Sequence, residues 1–155
     1  MNRTIKVAAY CRVSTDMADQ LHSLSAQIKY FTEYISNHED YELIEVFYDE
    51  GITGTSTKKR DGFNRMIAYC EAGKIDLILT KEVSRFARNT VDTLNFTRRL
   101  SELKIGVIFM NDGIDTRDKD GELRLTIMKH SNGNKTLQTY STKALSQIKR
   151  QCFEI

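Results

Sequence analysis

Two short segments hold the residue types best suited to chemistry: Arg12-Val13-Ser14-Thr15-Asp16 and Ser84-Arg85-Phe86-Ala87-Arg88. Each follows an apolar run of strand type, and between them they offer a candidate nucleophilic hydroxyl at Ser14 and three guanidinium groups at Arg12, Arg85 and Arg88. Serine attack on a phosphodiester suits this set, because arginine holds phosphate oxygens bidentately and stabilises the charge of the reacting phosphoryl group without a metal. Residues two apart on a strand share a face, so Arg12 and Ser14 point the same way where the first strand ends. Arg85 and Arg88 are three apart and align if their segment turns helically. Each segment alone has an ordinary reading: Ser-Thr-Asp as a cap or turn, and the arginines as solvated surface. Taken jointly, they make DNA breakage the leading reading.

Something must bring the segments together. Four runs rich in β-branched or aromatic residues read as strands: Ile5 to Tyr10, Tyr41 to Tyr48, Ile75 to Thr80 and Ile105 to Met110. Helical patterns separate them. Leu24, Ile28, Phe31 and Ile35 recur at helical spacing behind Ser23 or Ser25 as cap, and Phe63, Met66, Ile67 and Cys70 do so between a capping Asp61 and a terminating Gly73. A third helix, starting near Asn89 or Thr90, presents Phe96, Leu100 and Leu103 to the core. A fourth follows Gly121, with Leu123 and Ile127 one turn apart. This alternation predicts an α/β fold: a mainly parallel sheet of four or five strands flanked by helices, with functional loops at the carboxyl ends of the strands. The polar, glycine-bearing stretch from Asp49 to Arg60 is long for such a fold and is expected to be a mobile loop.

The chain has 155 residues, 40% of them hydrophobic, which is enough for one domain with its own core. Cys11, Cys70 and Cys152 have neither the number nor the spacing of a disulfide framework or a zinc site. Strand parity opposite to that of Arg12 makes Cys11 a core residue. No apolar run is long enough to span a bilayer and the N-terminus lacks the order of a signal peptide, so a cytoplasmic protein is expected. Net charge is +2, but Lys129, Lys135, Lys143, Lys149 and Arg150 against Glu154 put +4 in residues 129–155 and leave −2 for residues 1–128. Charge alone does not point to DNA.

Motifs in order along the chain do. Tyr10-x-Arg12-Val13-Ser14-Thr15, Ser23-Leu24-x-x-Gln27, Asp49-Glu50-Gly51-x-x-Gly54, Arg60-x-Gly62-Phe63, Ser84-Arg85-Phe86-x-Arg88-Asn89 and Asp112-Gly113-Ile114-Asp115-Thr116 together resemble the catalytic domain of the serine site-specific recombinases. The likeness covers residues 5–128. Its Ser-Arg-Phe-x-Arg form is closer to the large integrase and mobile-element transposase types than to the small resolvases and invertases.

The resemblance implies a resolvase-like fold and DNA cutting and rejoining through a 5′-phosphoserine at Ser14, with a 3′-hydroxyl left behind. It places Arg12, Arg85 and Arg88 at the family's phosphate-binding and activating positions. Tyr10, Gln27, Asp76 and Ser84 become supporting residues and Arg60 a DNA-phosphate contact, with no cofactor and no metal. For Gln27 and Asp76 a purely structural hydrogen bond is an equal alternative. Ser84 stands where small resolvases have aspartate, so no acid role passes to it. The implied partners are a duplex DNA recombination site and further copies of the chain, as a homodimer pairing into a synaptic tetramer. The implied setting is the cytoplasm of a bacterium bearing a phage or other mobile element. From Lys129 to Ile155, however, the chain lacks the glutamate-arginine pattern of the family's long dimerisation helix. Residues 129–155 are therefore expected to be an irregular or frayed tail, and the chain a monomer or an altered dimer.

Two other readings compete. A metal-dependent nuclease could draw on Asp49, Glu50, Asp76, Asp112 and Asp115. A non-catalytic module could be a recombinase remnant or a Rossmann-like binder, although no G-x-G-x-x-G or P-loop sequence supports the latter. His22, His38 and His130 lack the spacing of a zinc site or a Ser-His-Asp triad.

Overall fold

The computed structural model describes residues 3–13, 17–50, 60–87 and 90–131. Five strands form one sheet: β1 (Ile5–Val13), β2 (Tyr41–Glu50), β3 (Leu77–Thr80), β4 (Gly106–Phe109) and β5 (Ile114–Asp115). Their order is β2-β1-β3-β4-β5, with β1 to β4 parallel and β5 antiparallel to β4. The helices are α1 (Met17–Ser36), α2 (Asp61–Glu71), α3 (Val83–Phe86), α4 (Thr90–Glu102) and α5 (Gly121–Ser131). The chain winds outward from β1 in both directions, so the strand order reverses between β1 and β3. In open α/β sheets the crevice at such a reversal, beyond the carboxyl ends of the strands, is where ligands bind.

Period-two alternation along β1 sorts its side chains between two cores. Val7, Ala9 and Cys11 pack with Leu77 and Leu79 beneath Phe31 and Ile35 of α1. Ala8 and Tyr10 face the other way, into a larger core built with Phe109 of β4 and with Phe63, Met66, Phe86, Leu100 and Leu125 from the opposite helical layer. Arg12 shares the parity of Tyr10 and is half-buried at the strand end.

Several expected boundaries move. The first helix begins at Met17 rather than behind Ser23 or Ser25, because Met17, Ala18, Gln20 and Leu21 are strong helix formers that extend it past its apolar stripe. Asp61 lies inside α2, whose N-cap position is Arg60 with no side-chain cap of its own. Ile28, Leu103 and Leu123 are exposed rather than core-facing, at 37%, 45% and 55%. On α5 Gly121 and Leu125 are buried, where this helix approaches the sheet edge at its first residue. A Cβ on Gly121 would lie 2.5 Å from the carbonyl oxygen of Asp115, so only glycine permits that approach. Helix α5 continues to Ser131, past the boundary expected at 128; the tail from 132 and the loop at 51–59 lie outside the described residues. Among the described residues no helix is long and apolar enough to cross a membrane.

Cys11 and Cys70 are buried thiols. Burial pushes each up to about 12 from 9.0; Lys81 lowers Cys11 slightly, and Glu71 raises Cys70 further. A raised value in the folded chain stabilises below the unfolded value and is lost as pH rises through the folded one. Urea midpoints should therefore fall between pH 9 and 12, and replacing both cysteines with alanine should flatten that fall. An unchanged slope in the double variant would contradict the assignment.

Candidate active site

At the carboxyl end of the sheet, Asp49 on β2 lies level with Arg12 on β1 in the parallel register. Its carboxylate is the hub of a polar cluster. Oδ1 accepts from the Gly62 amide at 2.7 Å, and Oδ2 from the Phe63 amide at 2.8 Å and the Tyr10 hydroxyl at 2.8 Å. Asp49 thus supplies the N-terminal cap that Arg60 and Asp61 do not, with a charge of the sign that a helix N-terminus favours. Such close docking requires a glycine. A Cβ at position 62 would sit 2.1 Å from the Tyr48 carbonyl oxygen.

Arg60 closes the cluster from above. Its guanidinium lies 4.0 Å from the Phe63 ring centroid, donates to the Tyr10 hydroxyl at 2.9 Å, and donates also to the Phe86 carbonyl. Stacking and hydrogen bonding together hold this half-buried cation, which forms no ion pair among the described residues. The position expected to contact DNA phosphate is therefore turned inward, tying the end of β1 to the turn that carries Arg85. Beneath it, Phe63 packs edge to face against Tyr10, Phe86 and Phe96 at centroid distances of 5.3, 5.2 and 5.0 Å. Burial drives the Tyr10 phenol well above its ordinary value, against a lowering by Arg60. Tyr10 therefore remains a neutral hydroxyl, a donor to Asp49 and an acceptor from Arg60.

The second segment begins where β3 ends. Val83–Phe86 is a single helical turn, α3, with Phe86 fully buried. Ser84 Oγ donates to Glu82 Oε2 at 3.1 Å, and Asn111 Nδ2 donates to Glu82 Oε1 at 3.2 Å. The Val83 amide donates to Asp112 Oδ2 at 2.8 Å. Arg12, Tyr10, Arg60 and the backbone of the Arg85 turn thus gather around the strand-order reversal between β1 and β3. Ser14 and Arg88 lie outside the described residues.

One of the expected supporting residues stands elsewhere. Asp76 precedes β3 at the amino end of the sheet, where it accepts from Arg3 at 3.2 Å and from the Lys6 amide at 3.0 Å. Parallel strands run together, so Asp76 is level with Lys6, some 20 Å of strand from Val13 at about 3.3 Å per residue. Its role is structural: it ties β1 to β3. Gln27, on α1, donates one turn back to Ser23 Oγ at 3.2 Å.

Of the five carboxylates that suggested a metal nuclease, Glu50 is exposed at the end of β2 and the other four are engaged separately. Asp49 caps α2, Asp112 holds α3, Asp115 pairs with Arg117 at 2.8 Å, and Asp76 lies at the far end of the sheet. Among the described residues no three His, Cys, Asp or Glu side chains are grouped to hold a metal ion.

Comparison with known proteins agrees with this architecture. The family model described as the resolvase N terminal domain matches residues 7–147, and the chain belongs to that family. A resolvase/recombinase of Pseudomonas putida is 27% identical over 124 residues, covering 80% of this chain and 61% of the relative. Among solved structures, a resolvase family site-specific recombinase from Streptococcus pneumoniae is similar with a TM-score of 0.68 and 30% identity, over 95% of this chain and 99% of that one. The N-terminal catalytic domain of TP901-1 integrase is similar with a TM-score of 0.64 and 27% identity, over 96% and 98%. The chain spans about three fifths of the length of the curated relatives it matches.

Proposed function

We propose that this chain is the catalytic domain of a serine recombinase that cuts and rejoins DNA at a specific site, with Ser14 as nucleophile. The observation that carries the reading is the meeting of two segments at one crevice: the end of β1, with Arg12, and the turn of α3, which contains Arg85. Family membership supports the same chemistry. In the proposed step Ser14 Oγ bonds to phosphorus as the bond from phosphorus to the 3′ oxygen breaks. The serine gives up its proton, the departing 3′ oxygen takes one, and the 5′ phosphate stays on the serine. Arg12, Arg85 and Arg88 neutralise the non-bridging oxygens, whose charge is greatest in flight. Because one phosphoester replaces another, a different 3′-hydroxyl can reverse the step without ATP.

In this reading the substrate is duplex DNA, and the working assembly is a dimer pairing into a tetramer. Likeness to an integrase catalytic domain fits the integrase and mobile-element branch. The test supplies the chain with a C-terminal DNA-binding module and presents a recombination site in EDTA. A covalent protein–DNA adduct is expected. Cleavage that demands Mg²⁺ would instead favour the nuclease.

A further inference from the structure

We propose that Asp112 is a positioning residue for the reaction: its carboxylate fixes the start of the α3 turn and so the placement of Arg85. The inference rests on the reading above, in which Arg85 engages phosphate. Three features carry it. Asp112 Oδ2 accepts the Val83 amide at 2.8 Å, from a different strand connection 29 residues away. The α3 turn is too short to hold itself, since one helical turn fixes many dihedrals for a single internal hydrogen bond. Its other end is anchored from outside too, through the Phe86 carbonyl to Arg60 and the Phe86 ring between Phe63 and Phe109.

Arg85 therefore sits in a turn pinned at both ends by residues outside it. The Asp112 anchor is stiff. The backbone pairing of β3 and β4 continues beyond the strands through Met110 to Thr80 at 2.9 Å and Asn111 to Lys81 at 2.8 Å, and Arg124 of α5 donates to the Gly113 carbonyl.

A negative side chain near a phosphate site opposes binding through space, so removing it should strengthen binding if charge were its whole effect. Positioning gives the opposite sign. The test uses the 155-residue chain with inorganic phosphate as probe, reading the Arg85 Nε–H resonance, assigned by Arg85→Lys, and the amide exchange of Val83 to Phe86. With Asp112→Ala, phosphate should bind roughly tenfold more weakly, as expected for losing one charge-assisted hydrogen bond. Exchange in the turn should rise while that of β1 and β3 is unchanged. Asp112→Asn keeps an acceptor oxygen for the Val83 amide and should restore both readouts. Tighter phosphate binding by both variants, or unchanged exchange in Asp112→Ala, would overturn the proposal. If phosphate moved no arginine resonance in the wild-type chain, the recombinase reading would fail, and the exchange comparison would still decide whether Asp112 holds the turn.

Discussion

Ser14→Ala should abolish the covalent protein–DNA adduct while leaving the fold and non-covalent DNA binding intact. The reasoning is chemical: among Arg12, Ser14, Arg85 and Arg88, only Ser14 has an oxygen that can form an ester with phosphorus, and guanidinium groups can stabilise the transfer but cannot start it. Removing the nucleophile therefore stops the reaction at zero turnover rather than slowing it. Gel analysis of denatured complexes reads the adduct, and thermal unfolding checks the fold, which should shift little because the substitution removes one small polar group. An adduct that persisted in the alanine variant would assign the nucleophile elsewhere.

Asp49→Ala should cost the fold about 2 to 3 kcal/mol, the upper range for losing hydrogen bonds to a charged acceptor, here a half-buried one. Three donors lose their acceptor together: the amides of Gly62 and Phe63, and the Tyr10 hydroxyl. Helix α2 loses its cap, Tyr10 is left unpaired on one side in a fully packed setting, and Arg60 loses the partner that orients its own. Asp49→Asn should be intermediate, because one acceptor oxygen survives while the amide nitrogen cannot accept from the remaining amide. Urea unfolding at neutral pH measures both variants. A loss under about 1 kcal/mol for the alanine variant would show that water replaces these bonds and that the hub is exposed in solution.

What the sequence could reveal followed from its periodicities. Strands β1 to β4 are apolar runs, and their alternation with helical patterns implied a parallel sheet with function at its carboxyl end. Elements too short for a period were illegible: α3 has four residues and β5 two, and both exist because neighbours hold them. Asp112 and Asp49 illustrate the same limit. As sequence they are carboxylates at strand ends, equally suited to metal binding. What makes them caps is a partner 29 or 13 residues away.

Asp76 shows geometry choosing between two readings. The resemblance made it a supporting residue, with a structural hydrogen bond as an equal alternative; it precedes β3, and in a parallel sheet the residue before a strand belongs to the opposite end from the residue after it. Leu103 and Leu123 erred for a simpler reason. Spacing identifies which residues share a helix face but not how far along the helix the sheet still covers that face.

The central claim is most directly tested by mapping the bond in the adduct. Digesting the trapped complex with nuclease and protease and sequencing the peptide by mass spectrometry should find a 5′-linked nucleotide on Ser14, with free 3′-hydroxyl ends on the cleaved DNA. A nucleotide on any other residue, or a 3′-phosphate linkage, would contradict it.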